Sequence, residues 1–246
     1  MINDPRIQRI LADGPAATTF VELPGGTFAM GSPQRADELP VHRVTVGPFA
    51  VALTPVSNAE WARFLADTDR EPLPFWDDER FNRPERPVVG VNWFDAVDYC
   101  AWLGDLVGRA CRLPTEAERE YAARGGVADV LFPWGDEPWS EGVHAFGAAG
   151  MDRPQPIGSS PPNGFGLYHM GDNVHEWCSD WYRPDAYASA PPLNPQGPPD
   201  GERRASRGGS WRHRVKVSRI AARSSLDPGR RYNDYGMRVY ADALER

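Results

Sequence analysis

The chain has 246 residues and a net charge of −7, with 41% hydrophobic and 25% charged residues. That length suffices to bury a sizeable core. No apolar run approaches the roughly 20 residues that span a membrane, and residues 1–18 lack the charged-then-apolar layout of a secretory signal. Cys100, Cys111 and Cys178 show no C-x-x-C spacing, which fits a reduced, cytoplasmic, soluble protein without a membrane role. Proline and glycine, 25 and 24 residues, make up about a fifth of the chain without a repeat. They predict an irregular, loop-rich fold rather than disorder.

Residues 1–19 read as an N-terminal arm, and residues 20–246 as a single domain with no internal linker. Phe20–Gly31 reads as two short strands about a Pro24-Gly25-Gly26 turn, and Val41–Val46 alternates apolar and polar residues like a half-buried strand. His42 falls on its polar phase. Three helices are marked by their N-terminal residues: Ser57 with Glu60, Asn92 ahead of Ala96, Cys100 and Leu103, and Thr115 with Glu118. The acids in these first turns suit the helix dipole and are read as structural. From Phe132 to Ser160 periodicity is lost, as in an ordered functional loop. Residues 183–202, richer still in proline, read as a mobile surface loop. Ala205–Trp211 and Tyr235–Tyr240 return to strand.

Residues 161–182 mix aromatics, turn formers and oxygen donors without a helical or strand period. Asp172, the Val174 carbonyl and Glu176 are close enough in sequence for one hard cation to gather them if the loop curls back. A hydrogen-bonded aromatic corner with no ion satisfies the same pattern. The C-terminal segment is basic: residues 203–246 carry twelve Arg or Lys against four Asp or Glu, leaving −15 for the rest. Interleaving with Trp211, Val215, Val217 and Ile220 predicts pairing with the acidic body and argues against nucleic acid.

Eight motifs occur in order. They are Gly25-Gly26-Thr27-Phe28 with Met30-Gly31, Pro87–Val91 with Trp93, Arg112–Glu118, Pro133-Trp134-Gly135-Asp136, Asn163–Tyr168, Asn173-Val174 with Glu176-Trp177, Arg207–Trp211, and Gly236 with Arg238. Together they resemble the formylglycine-generating enzyme, or sulfatase-modifying factor, family, over residues 20–240. The resemblance implies a mixed α+β domain of low regular-structure content, related to the C-type lectin fold, with calcium as a structural ion. It also implies several activities: copper-dependent oxidation of a sulfatase cysteine, pyoverdine maturation, iron-dependent sulfoxide synthesis, and ligand binding by retroelement-diversified proteins.

The family's copper cysteines lie between the Gly-Gly-Ser motif and the closing Gly-x-Arg. No cysteine follows Cys178 here, which argues against copper, because Cu(I) requires soft sulfur. Sulfoxide synthesis would need a separate partner chain, encoded nearby, to supply the iron-binding bundle. His169 stands where the family has a calcium-binding Asp or Asn, and Asp172 where glycine is usual. The metal set His169, Asp172, Val174 and Glu176 therefore implies altered calcium binding, a transition ion such as Fe or Zn, or loss of the ion. A second family calcium site lacks its asparagine around His144-Ala145-Phe146. The expected function is a non-copper family member binding a peptide or small anionic ligand through Trp211, Arg212, His213, Arg214, Arg219 and Tyr232. Alternatives are a metal-dependent oxidoreductase, with His213 as the catalytic candidate, and a diversified ligand-binding protein.

Overall fold

The computed structural model describes residues 4, 5, 7, 8, 10, 18–136 and 151–244; His144-Ala145-Phe146 lies outside them. Three capped helices carry one side of the core. Helix α1 (Asn58–Thr68) begins at Ser57, α2 (Trp93–Val107) at Asn92 and α3 (Glu116–Arg124) at Thr115, each with a complete capping box. In each box two otherwise orphaned backbone N–H groups are satisfied. Trp61 of α1 stacks on Tyr99 of α2 at 5.1 Å, with Phe64 edge-on to both. Ile7 and Ile10 are buried in this same cluster, so the N-terminal arm is docked at those residues.

The first sheet orders β1 (Phe20–Leu23), β4 (Phe49–Ala52), β10 (Tyr240–Asp242) and β5 (Cys111–Arg112), with all three pairings antiparallel. Both ends of the domain thus meet on β4, and all four residues of that strand are buried. A two-stranded ribbon joins β2 (Gly26–Met30) to β3 (His42–Val46). The strands flanking the Pro24-Gly25-Gly26 turn accordingly belong to different sheets and do not form a hairpin. His42 is half-buried, with its ring 4.9 Å from that of Tyr187, rather than solvated.

The second four-stranded sheet orders β8 (Arg223–Leu226), β7 (Arg204–Arg207), β6 (His175–Trp181) and β9 (Tyr235–Gly236). Pairing of β6 with β9 is parallel. The expected strand 235–240 is split: β9 joins this sheet and β10 the other. Residues 183–202 are tied down, contrary to a mobile loop. The Thr45 N–H donates to the Pro192 carbonyl at 2.7 Å, the Asn194 N–H donates to Thr45 at 2.8 Å, and Tyr187 is buried. No described helix is long and apolar enough to cross a membrane.

Candidate functional site

Helix α3 turns a polar face inward, and the C-terminal arginines answer it. Glu116, Arg119 and Glu120 are buried. Arg207 donates to Glu116 at 2.9 Å and to Glu120 at 2.7 Å, while Arg223 donates to both oxygens of Glu116 at 2.8 and 2.9 Å. Burial pushes the Glu116 carboxyl up, and the guanidinium groups of Arg223 and Arg207 more than reverse it, leaving it below its ordinary value. The basic tail thus neutralises the acidic body from inside. Arg219 is part of this scaffold: it grips Glu38 through two bonds of 2.7 and 2.9 Å and is 6% exposed. Its expected role in ligand binding is replaced by a buried bidentate ion pair.

The loop before β6 curls back on itself, and guanidinium groups hold the curl. Arg119 donates to Glu176 at 2.7 Å and to the Met170 carbonyl at 2.9 Å. Arg238 donates to Glu176 at 2.9 Å and to the Tyr168 carbonyl at 2.6 Å. His169 has its backbone in the left-handed region (φ 58°). Its Nδ1 lies 3.0 Å from Asp172 Oδ1, and its Nε2 accepts from the Gly158 N–H at 2.9 Å. Asp172 also accepts from Ser160 at 2.6 Å. Val174 places its side chain in a small apolar cluster with Trp211 and Phe81. His169, Asp172 and Glu176 do not form a group of convergent ligand atoms. This corrects the four-residue metal set: Glu176 is spent on two arginines, and His169 and Asp172 on each other. The residues present do not fit a calcium ion, which needs several free oxygens.

Strand alternation sends His175 to the opposite face from Glu176. The β6–β9 register aligns His175 with Tyr235, and the His175 N–H donates to the Asp234 carbonyl at 2.9 Å, which brings Asp234 alongside. A third contributor arrives on the loop after β7. That loop is fixed by Gly209 N–H to the Gly171 carbonyl at 3.1 Å and by Trp211 N–H to the Asn173 carbonyl at 2.8 Å. A turn closed by the His213 N–H on the Ser210 carbonyl, at 3.0 Å, then folds His213 back. His175 Nε2 and His213 Nδ1 are 3.0 Å apart, and Ser210 Oγ lies 3.1 Å from His213 Nδ1 and 3.2 Å from Asp234 Oδ2. Burial, then the neighbouring His213, push the His175 imidazole down to about 3, so it is neutral; the Gly208 backbone opposes the shift. His213 is also lowered, by burial and Arg212, against the pull of Asp234.

Around this cluster the predicted binding residues divide. Arg212 and Arg214 are exposed, His213 is half-buried, and Tyr232 is 45% exposed. Arg212 donates to Asn233 Oδ1 at 3.2 Å, which places it beside Tyr232 in the chain. Trp211 is 7% exposed, with its indole N–H on the Asn233 carbonyl at 3.1 Å. It packs as core and does not supply an open aromatic face. His175, Asp234 and Ser210 were absent from the sequence-based site. His175 and Asp234 lie far apart in the chain, and only the parallel β6–β9 pairing joins them. A separate cavity of about 660 Å³, lined by Trp93, Cys111, Arg112, Glu118, Asn194 and Gln196 among others, contains none of the predicted binding residues.

The Sulfatase-modifying factor enzyme 1-like domain family matches residues 11–243. The chain belongs to this family. The formylglycine-generating enzyme of Streptomyces coelicolor is 36% identical over 285 residues, covering 91% of this chain and 89% of that protein. A serine/threonine-protein kinase, pkn1, of Chlamydia pneumoniae is 37% identical over 244 residues; the match takes 91% of this chain and spans only 38% of the kinase. Among solved structures, PvdO from Pseudomonas aeruginosa superposes with a TM-score of 0.81 at 32% identity, covering 94% of this chain and all of that one. The formylglycine-generating-enzyme-like fold expected from the motifs is therefore present.

Proposed function

We propose that this family member binds a peptide or small anionic ligand on the face formed by Arg212, Arg214 and Tyr232, without copper-dependent formylglycine chemistry. One observation carries the reading. Whereas Arg207, Arg219, Arg223 and Arg238 are buried in ion pairs, Arg212 and Arg214 stay exposed on the loop that carries His213, Arg212 with a loose 3.8 Å contact from its Nε to Asp234 Oδ2. Exposed guanidinium groups offer paired donors for carboxylate or phosphate, and the half-exposed ring of Tyr232 offers a flat apolar contact. The absence of cysteine after Cys178 supports the loss of the copper chemistry. Cys178 itself is buried, and burial raises its thiol well above the ordinary range, unlike a reactive thiolate.

The test uses a fluorescent hexaglutamate peptide, with citrate as the small-anion competitor, read by anisotropy at low salt. Binding that falls at least tenfold in Arg212→Ala/Arg214→Ala, with an unchanged melting temperature, supports the reading. Equal binding by wild type and the double variant overturns it. In parallel, Cu(I)-loaded protein offered a Cys-x-Pro-x-Arg peptide is expected to yield no aldehyde.

A further inference from the structure

His175, His213 and Asp234 offer two imidazole nitrogens and a carboxylate oxygen, with all three ligand atoms within 4.8 Å of one another. We propose that these residues form a binding site for one divalent first-row transition-metal ion, held by two histidines and one carboxylate. The donor types suit iron, cobalt or zinc; calcium, which prefers oxygen alone, is disfavoured. Spacing points the same way. Two nitrogens 3.0 Å apart, each bonded at about 2.1 Å, meet a common ion at roughly a right angle. That angle fits two neighbouring ligands of a six-coordinate ion, since tetrahedral ligands stand further apart.

The backbone fixes the three donors before any ion arrives. His175 and Asp234 are joined through the start of the β6–β9 pairing, and His213 by its turn onto Ser210. Ser210 Oγ touches both His213 Nδ1 and Asp234 Oδ2, the place from which a supporting hydroxyl orients ligands. Without an ion, its single proton has two acceptors to serve whenever His213 Nδ1 is unprotonated. Access is one-sided: His175 and Asp234 are buried, whereas the His213 side chain is 33% exposed. Water or a ligand can reach the remaining positions from the His213 side, as at metal sites that keep open coordination. This inference does not rest on the anionic-ligand reading, although the two meet at Asp234, whose Oδ2 lies 3.8 Å from Arg212 Nε.

The experiment titrates tag-free, chelator-stripped protein with Co²⁺, follows the visible absorption bands, and then competes with Zn²⁺. Wild type is expected to bind about one Co²⁺ per chain, displaced by Zn²⁺. His213→Ala and Asp234→Asn are each expected to weaken Co²⁺ binding at least tenfold, while His42→Ala leaves it unchanged. Circular dichroism and thermal melts confirm folding; the partly exposed His213 makes its variant informative if Asp234→Asn unfolds. Absence of saturable uptake by wild type overturns the proposal. So does unchanged Co²⁺ affinity in folded His213→Ala, or loss of binding in His169→Ala instead, which would move the ion to the His169–Asp172 corner.

Discussion

Arg219, Arg223 and Arg238 face Glu38, Glu116 and Glu176 at 2.7–2.9 Å with both partners nearly excluded from water. Removing Arg219 strips Glu38 of its bidentate partner, and removing Arg223 or Arg238 leaves Glu116 or Glu176 with a single buried arginine, Arg207 or Arg119. Each loss breaks a buried pair and is expected to cost about 3 kcal/mol or more. Arg212 and Arg214 are exposed, Arg212 with a loose 3.8 Å contact to Asp234, and their removal is expected to cost under about 1 kcal/mol. Thermal and urea melts of the five single alanine variants check this division, and a small loss at Arg219 would return it to the binding surface. The family resemblance announced the division in part, since Arg238 lies in one of its motifs. It misplaced Arg219, whose neighbours Ser218 and Ile220 are buried beside it. The segment Val215–Val217 forms a single 3-10 turn, so exposure changes within a few residues and follows no regular period.

The helices were legible because their signals are local: each capping box closes within four residues, and the structure contains all three as read. Strands 235–240 were harder. Adjacent residues there join sheets that are separate in space, a choice made by β4, β5 and β6 rather than by the segment itself. The functional face shares this difficulty, since it depends on the loop after β7 crossing the loop before β6. Gly209 sits at that crossing. A Cβ there would lie 2.4 Å from Ser218 Oγ and 2.7 Å from the Gly171 carbonyl, and backbone cannot yield as a side chain can. Gly209→Ala is expected to destabilise by about 1–3 kcal/mol, as overpacking does. It should also shift His213 away from His175, seen as loss of the through-space contact between their ring protons by NMR. A stable variant with the contact intact would mean that the loop crossing does not position the cluster.

At the scale of the whole molecule, a −15 body and a +8 tail fold into one another, and a few buried groups pay with shifted protonation. Burial, and then the neighbouring Glu116 carboxylate, raise Asp180 to about 7; the Glu116 N–H and the Ser179 hydroxyl oppose this from 2.9 and 3.1 Å. A carboxyl with a folded-state pKa above its unfolded value binds more protons when folded. Its contribution therefore declines as pH rises from about 4 to 7. His175 runs the other way. Its folded-state value near 3 means that the unfolded chain takes up the extra proton, so stability falls as pH drops below about 6.5. Between about pH 4 and 6.5 these slopes offset, and a melt of the wild type alone separates neither. Asp180→Asn isolates one of them, because the amide oxygen can still accept from the Glu116 N–H without ever charging. Its stability relative to wild type is expected to rise between pH 5 and pH 8, by an amount on the order of 3 kcal/mol at most. Urea melts of both proteins at pH 5, 6.5 and 8 measure that difference. A difference that stays constant with pH would mean that Asp180 titrates normally, and that the polar interior around Glu116 accommodates a third carboxylate charge.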